Sequence, residues 1–196
     1  MTQTKFLVNL LNFNRLKKNR GNFLSQLQLP FSATPRHLLE EIFHILQVKF
    51  GLTRNSNQKL VDLGAGNGQI IIYSALNYGI KSFGVEINGN LIIEAKQKVK
   101  RLKREKKYKK KLIRKIKLIT KDFFNISLKN YDFIYIFSLP TMQKLLKHVF
   151  LTAKTGVIVI SFKYPLNNFE KILKLSYKLE LKDVQQDVNT YYYVKL

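Results

Sequence analysis

The chain shows a helical pattern of apolar residues first, and then an alternation between helix and strand patterns. Apolar residues recur at helical spacing from Leu38 to Val48, after a Thr34-Pro35 pair that predicts a helix start with Thr34 as the cap and Pro35 as the first helical residue. Beyond this helix, short apolar runs alternate with amphipathic stretches. We predict strands near residues 58–63, 81–87, 115–120, 132–137 and 157–162. We predict helices near residues 68–78, 90–107, 141–152 and 168–175.

These elements predict an α/β fold with a mostly parallel sheet. Residues 133–137 are apolar at every position, as expected of a strand that is covered by helices on both faces. The last two strand patterns, 176–183 and 189–195, are joined by a short polar link and indicate an antiparallel pair. Strand–helix units closed by such a hairpin predict an open, doubly wound sheet of seven strands with a C-terminal antiparallel hairpin.

Composition limits the class of protein further. The 196 residues are 45% hydrophobic, which excludes a disordered tail, and the longest apolar runs are far shorter than the ~18 to 20 residues that span a membrane. The absence of Cys excludes disulfides and thiolate metal sites, and the three His residues are not spaced as metal ligands, so we expect no metal. We expect a cytoplasmic monomer.

The N-terminal residues differ in charge from the rest of the chain, since residues 1–39 contain no Asp or Glu. We divide the chain into a basic N-terminal appendage, residues 1–29, and a domain, residues 30–196. The appendage has its apolar patch before its cations, which is the reverse of a signal peptide. A helix that packs on the domain, an interfacial amphipathic helix and a weak organelle-import signal remain as interpretations of this segment.

A glycine-rich turn between the first strand and the next helix predicts a ligand site. Residues 62–68 read Asp-Leu-Gly-Ala-Gly-Asn-Gly, and glycines there allow positive φ and let a ligand approach bare backbone. No Gly-Lys-Ser/Thr follows, which excludes a P-loop, and the G-x-G-x-G spacing of Gly64, Gly66 and Gly68 differs from the dinucleotide fingerprint.

Carboxylates at the ends of three predicted strands narrow the choice of ligand. Asp62 directly precedes the glycines, where it would repel a pyrophosphate but attract a cationic group. S-adenosylmethionine carries an ammonium and a sulfonium and no phosphate. Glu86 can then accept hydrogen bonds from the ribose hydroxyls. Asp122 and Phe123 would meet the adenine amino group and ring face. Neighbouring residues complete the predicted cofactor site: Ala65, Ile87 and Asn88.

Over about residues 30–165 the chain resembles the class I S-adenosylmethionine-dependent methyltransferases, which have a Rossmann-like fold. It is more specifically similar to small protein-lysine methyltransferases: the archaeal broad-range enzyme and the mitochondrial enzymes acting on the ATP synthase c subunit and the adenine nucleotide translocator. The stretches that carry this likeness are Pro30-Phe31-Ser32-Ala33-Thr34-Pro35, residues 61–68, residues 131–142 and residues 161–166. The resemblance implies methyl transfer to the side-chain amine of a protein lysine.

The loop after the fourth strand bears on the methyl acceptor. Its residues Phe137, Ser138, Leu139 and Pro140 lack the Asn or Asp with which adenine-amine methyltransferases hold their substrate. A lysine needs a narrow apolar channel that lowers the pKa of its ammonium and aligns the nitrogen. Residues assigned to such a channel and to orienting the amine are Phe31, Ser32, Thr34 and Tyr164, together with the loop itself. RNA methylation and a catalytically degenerate scaffold that binds nucleic acid are the alternatives.

The charge of the chain is concentrated in one segment. The net charge is +23, and 14 of the 22 residues from Lys96 to Lys117, which we call the basic run, are Lys or Arg. We expect residues 106–111 to be a mobile loop because their charges repel one another. The basic run is either solvated surface, amplified by an AT-rich coding sequence, or a contact for RNA, a ribosome or an anionic membrane surface.

Overall fold

The structure is a computed structural model that describes residues 34–181 and 188–196. The predicted appendage and the predicted site residues Phe31 and Ser32 lie outside the described residues. The described part contains one seven-stranded sheet with strand order β3-β2-β1-β4-β5-β7-β6. Its strands are β1 (Lys59–Leu63), β2 (Lys81–Glu86), β3 (Ile116–Thr120), β4 (Phe133–Ile136), β5 (Ile158–Phe162), β6 (Leu173–Leu181) and β7 (Val188–Lys195).

The direction of the strands confirms the predicted fold class. The pairs β1–β2, β1–β4, β2–β3 and β4–β5 are parallel, whereas β7 runs antiparallel to both β5 and β6. The sheet is therefore mostly parallel and ends in an antiparallel hairpin. All five parallel strands place their carboxyl ends at one edge of the sheet, which we call the carboxyl edge, and their amino ends at the opposite, amino edge.

Helices cover the sheet on both faces. They are α1 (Arg36–Lys49), α2 (Gln69–Asn77), α3 (Gly89–Arg104), α4 (Lys110–Ile113), α5 (Pro140–Gln143) and α6 (Lys147–Phe150), with a 3-10 turn at Phe123–Asn125. The apolar stripe of α1 is buried, as its spacing predicts, and packs on alternate strand residues such as Leu60 and Phe133. The Tyr192 hydroxyl anchors this helix by donating to the Ile42 carbonyl at 3.0 Å. None of the helices in the described ranges is both long and apolar enough to cross a membrane.

Two predicted helices are wrong. The stretch 141–152 forms two short helices, α5 and α6, because the intervening N–H groups of Leu145 and Leu146 bond three residues back, to Met142 and Gln143. The stretch 168–175 makes only a turn, since Asn168 has a left-handed φ of 67° and Leu173 already begins β6. Strand β6 thus starts earlier than the predicted 176–183, whose last two residues lie outside the described ranges.

Three further local predictions are corrected, one at the start of α1 and two at and after the end of α3. Pro35 rather than Thr34 occupies the cap position of α1, and no side chain caps the helix. Helix α3 ends at Arg104 rather than at 107. Instead of a continuous loop over 106–111, the chain makes the helical turn α4, which buries Ile113 against the core. The apolar side chain of Ile113 explains this, because its burial offsets the repulsion between the lysines beside it.

Candidate functional site

The glycine turn after β1 is built as the sequence predicts. Gly64, Gly66 and Gly68 have φ values of 84°, 53° and 81°, in the left-handed region that suits glycine. The N–H groups of Gly64 and Ala65 donate to the Val85 carbonyl at 2.9 and 3.0 Å, which ties the turn to β2. Gly64 is exposed, and among the described residues the atom near the position of its missing Cβ belongs to the Phe123 ring, 3.8 Å away. A ligand can therefore lie directly on this backbone.

Glu86, the last residue of β2, organises two turns at the carboxyl edge. Its Oε2 accepts a hydrogen bond from the Gly66 N–H at 2.9 Å, and its Oε1 accepts from the N–H groups of Ile87 and Asn88 at 2.8 Å each. The side chain is buried. Since each carboxylate oxygen has about two acceptor sites, one site on Oε2 is left for a ligand hydroxyl. The sequence indicated the ligand role of Glu86 but not this role in holding the glycine turn.

Asp62 is a buried carboxylate at the same edge. It is 3% exposed and lies in register with Tyr135 of β4, so both side chains point to the same face of the sheet. Burial raises the pKa of Asp62 to about 8, and the negative charge of Glu86 acts in the same direction. A cationic ligand group placed beside this carboxylate would lower the pKa of Asp62 again, because an opposite charge favours the ionised form.

The other predicted cofactor residues surround the glycine turn, and two of them have local structural partners. The Asn88 side chain caps α3 by accepting from Asn90 and Leu91, and Asp122 caps the 3-10 turn by accepting from Phe124 at 2.9 Å. The Phe123 ring lies over Gly64, and Ile87 is an apolar side chain that is 60% exposed. An aromatic ring therefore lies against the glycine turn, and an exposed aliphatic side chain directly follows β2.

Two of the residues predicted for the methyl acceptor, Phe137 and Tyr164, come together. The rings of Phe137 and Tyr164 stack with centroids 5.9 Å apart, and we call this pair the aromatic stack. Lys163, with a left-handed φ of 67°, forms the bend that turns Tyr164 toward Phe137, and the Ser161 hydroxyl holds it by donating to the Tyr164 carbonyl at 2.7 Å.

In the loop after β4, the residues that follow Phe137 lead into α5. Leu139 is half-buried, and Pro140 begins α5. Ser138 is 1% exposed, and within residues 34–181 and 188–196 its Oγ has no hydrogen-bond partner. An unbonded buried hydroxyl is costly, so a ligand group that supplied a partner for the Ser138 Oγ would be bound more favourably.

Thr34 reaches the site through a contact that the sequence analysis missed. The carboxamide of Gln69, the first residue of α2, accepts from the Thr34 N–H at 2.9 Å and donates to the Thr34 carbonyl. The Thr34 side chain lies beside the buried hydroxyl of Tyr135. The position of Gln69 immediately after Gly68 was the only signal in the sequence, and it does not reveal a partner 35 residues away.

This sheet order, with a glycine turn after β1 and carboxylates at the ends of β1 and β2, defines a Rossmann-like S-adenosylmethionine-dependent methyltransferase. The family model described as the ANTKMT methyltransferase domain matches residues 62–172, more than half of the chain. The chain belongs to this family. The predicted enzyme class and cofactor are thereby confirmed.

Individual relatives agree with this assignment. A protein-lysine N-methyltransferase from Saccharolobus islandicus (strain REY15A) is 24% identical over 151 residues, covering 75% of this chain and 85% of the relative. An RNA methyltransferase from Salinibacter ruber, solved with S-adenosyl-L-homocysteine, has a TM-score of 0.66 at 19% identity and covers 83% of this chain and 93% of that one. A SAM-dependent methyltransferase from Aquifex aeolicus has a TM-score of 0.59 at 14% identity, with coverages of 81% and 89%. The two structural likenesses show the shared fold.

The side chains present fit S-adenosylmethionine. The cofactor needs a carboxylate for its ammonium, hydrogen-bond acceptors for its ribose and apolar surface for its adenine. The buried Asp62, the remaining acceptor site of Glu86 and the exposed Ile87 are of these three kinds. Because S-adenosylmethionine contains no phosphate, its site needs no cationic side chain to bind one.

Proposed function

We propose that the enzyme transfers a methyl group from S-adenosylmethionine to the side-chain amine of a lysine in a protein. The observation that carries this proposal is the aromatic stack of Phe137 and Tyr164 beside the buried, unbonded Ser138, at the carboxyl end of β4. The family assignment and the relative named a protein-lysine N-methyltransferase support it.

The chemistry explains why an apolar channel suits this acceptor. Lysine has a pKa near 10.4, so about one side chain in two thousand is neutral at neutral pH. A narrow channel that strips water from the amine disfavours the charged form and lowers that pKa, so the ammonium gives up one proton to solvent and its nitrogen lone pair becomes free. When bound, the cofactor supplies a methyl group on a positively charged sulfur, and the lone pair forms the new C–N bond as the C–S electrons return to sulfur. The methylated product leaves the channel as an ammonium, so one proton is released for each methyl group transferred.

Each predicted residue has a role in this proposal. Asp62 holds the cofactor ammonium, Glu86 accepts from a ribose hydroxyl, and Asp122 and Phe123 face the adenine. The aromatic stack and Leu139 line the acceptor channel. Ser138 and Thr34 orient the amine. The sequence alone adds Phe31 to the channel lining and Ser32 to the groups that orient the amine.

The test is a labelling experiment with two digestions. Cell lysate is incubated with the purified protein and S-adenosylmethionine carrying a labelled methyl group, and is then treated with protease or with RNase. We expect the label to be released by protease and to be located on lysine by mass spectrometry. Label that survives protease but not RNase would establish RNA methylation instead, and the absence of any label would favour the scaffold.

A pair of Tyr variants tests the aromatic channel. Tyr164→Leu removes one ring of the stack and should lower labelling by about tenfold or more, because the amine loses a rigid wall that aligns its nitrogen with the methyl group. Tyr131→Leu is the matched control, because Tyr131 packs on Phe83 near the amino edge. Equal labelling by both variants would contradict the role given to the stack.

We also propose that the basic run docks an anionic partner. It lies on α3, α4 and the start of β3, whose amino end is remote from the glycine turn. Most of its cations are exposed, and its charge is the observation that supports an anionic partner.

A further inference from the structure

A groove next to the acceptor channel is lined by cations and amides. It has a volume of about 420 Å³ and lies between two loops that leave the carboxyl ends of neighbouring strands. Lys144 and Lys147 form one side, after α5. Asn167, Asn168 and Phe169 form the other side, after β5.

Hydrogen bonds join the two loops that form the sides of the groove. Gln143 is 3% exposed, donates to the Pro165 carbonyl at 2.8 Å and accepts from the Asn167 N–H at 3.3 Å, so that its side chain joins the two loops. The Tyr193 hydroxyl of β7 accepts from the Leu166 N–H at 2.8 Å and thereby fixes the loop after β5. Because a buried amide with bonds on both sides holds its surroundings in one arrangement, the groove exists before any ligand arrives.

The residues that line the groove carry positive charge only, and one carboxylate, that of Glu170, lies at its edge. Lys144 and Lys147 are exposed, and neither forms an ion pair with a carboxylate in the described part of the chain. No described Asp or Glu lines the groove; the nearest carboxylate along the chain is Glu170, whose Oε1 accepts from the Asn168 N–H at 3.1 Å. Two exposed ammonium groups beside amides attract a carboxylate.

The groove lies within a few residues of the aromatic stack. Pro140 at its edge follows Phe137 by three residues, and Asn167 follows Tyr164 by three. Three residues span at most about 10 Å, so an extended polypeptide with its lysine in the channel would place residues one to four positions away in the groove.

We infer that the groove binds the polypeptide beside the acceptor lysine and selects substrates with Asp or Glu within about four residues of that lysine. This inference rests on the proposed lysine methylation and adds the substrate class. The exposed side chains of Asn167 and Asn168 offer hydrogen bonds to the extended backbone, and the two lysines supply the preference for acidic flanks.

The test compares flanking sequences in a mixture of peptides. A chymotryptic digest of lysate protein, which leaves lysines internal, is incubated with the enzyme and labelled S-adenosylmethionine, and the methylated peptides are sequenced. We expect Asp and Glu within four residues of the modified lysine to be enriched about three- to tenfold over the unmodified pool, the scale of two exposed charge contacts. The enrichment should fall as salt is raised.

Two variants and a control assign the preference to the groove. The double variant Lys144→Gln/Lys147→Gln should lose the enrichment, and Lys144→Glu/Lys147→Glu should reverse it toward Lys and Arg flanks, which a merely misfolded protein would not do. Lys129→Gln, an exposed lysine before β4, should keep it.

The outcomes separate this inference from the proposed function. Methylated lysines whose flanks match the unmodified pool would overturn the inference alone, as would an acidic preference that survives the double variant. No methylated lysine in either the digest or intact lysate protein would overturn the proposed function and the inference with it.

Discussion

The N–H of Gly66 donates to Oε2 of Glu86 at 2.9 Å, across 20 residues of chain. This bond joins the glycine turn after β1 to the end of β2. The other carboxylate oxygen holds the N–H groups of Ile87 and Asn88. One acidic side chain thus sets the shape of both turns at the proposed cofactor site.

Replacing Glu86 should therefore affect stability as well as cofactor binding. Glu86→Ala leaves three backbone N–H groups without their acceptor. Each buried group left unbonded costs about 1–3 kcal/mol, but water can bond some of these groups in the variant. We therefore expect the free energy of unfolding to fall by about 2–4 kcal/mol. Urea unfolding with and without S-adenosylmethionine measures both effects. Glu94→Ala, an exposed acid on α3, is the control. Unchanged stability in Glu86→Ala would show that the carboxylate serves the ligand only.

Asp62 should make cofactor affinity depend on pH. Its pKa of about 8 means that the ligand-free protein holds Asp62 protonated at neutral pH, and binding of the cationic cofactor then releases that proton. Affinity should rise with pH by up to about tenfold per unit until about pH 8 and then level off. Calorimetry in buffers of different ionisation enthalpy measures the proton release. Asp62→Asn should bind weakly and without this dependence, and a wild-type affinity that is constant from about pH 6 to 8 would contradict the prediction.

The same group should also affect the stability of the ligand-free protein. The folded-state pKa lies above the ordinary value of 3.8, so the folded state binds more protons than the unfolded state between the two values. Asp62 therefore lowers stability as pH rises from about 4 to 8. Relative to wild type, Asp62→Asn should become more stable as pH rises through this window, which urea unfolding at several pH values would detect.

A side chain at position 84 should be destabilising because of close packing, although the backbone conformation of Gly84 is one that any residue can adopt. A Cβ at this position in β2 would lie 2.8 Å from both Ala65 Cβ and Ile71 Cδ1, under the glycine turn. Gly84→Ala should lower the free energy of unfolding by about 1–3 kcal/mol, as overpacking of a core does, and should weaken cofactor binding. Gly89→Ala is the matched control, because no described atom lies within 4 Å of its Cβ position. Equal stability of the two variants would disprove the close packing.

The basic run should bind its partner without affecting catalysis. Replacing Lys106, Lys107, Lys109, Lys110 and Lys111 with Gln should weaken association and reduce the dependence of log K on log[salt] by about 0.7 to 0.9 for each phosphate that the variant no longer neutralises. Turnover on a short lysine peptide should remain, because β3 separates this segment from the carboxyl edge by five residues, roughly 17 Å. Loss of peptide turnover would mean that the segment reaches the site. An unchanged salt dependence would show it to be solvated surface.

The sequence by itself determined most of the elements in their order and the parallel sheet with its final hairpin, and it predicted a candidate site at the glycine turn. These depend on apolar periodicity, turn residues and the positions of acids at strand ends, which are local properties of the chain. The extent of the short helices after β4 was not predictable in this way. The apolar stripe of 141–152 suits a continuous helix, but tertiary packing favours two short ones.

Only the tertiary structure decided which distant groups share a bond or a space. Gln69 holds Thr34 and Glu86 holds Gly66 through contacts between residues 35 and 20 positions apart. Gly84 is required because two neighbouring elements approach it, and the groove at Lys144 exists because Gln143 joins two loops. Such contacts follow from how strands and helices pack, and a one-dimensional pattern carries no information on which side chains meet across that packing.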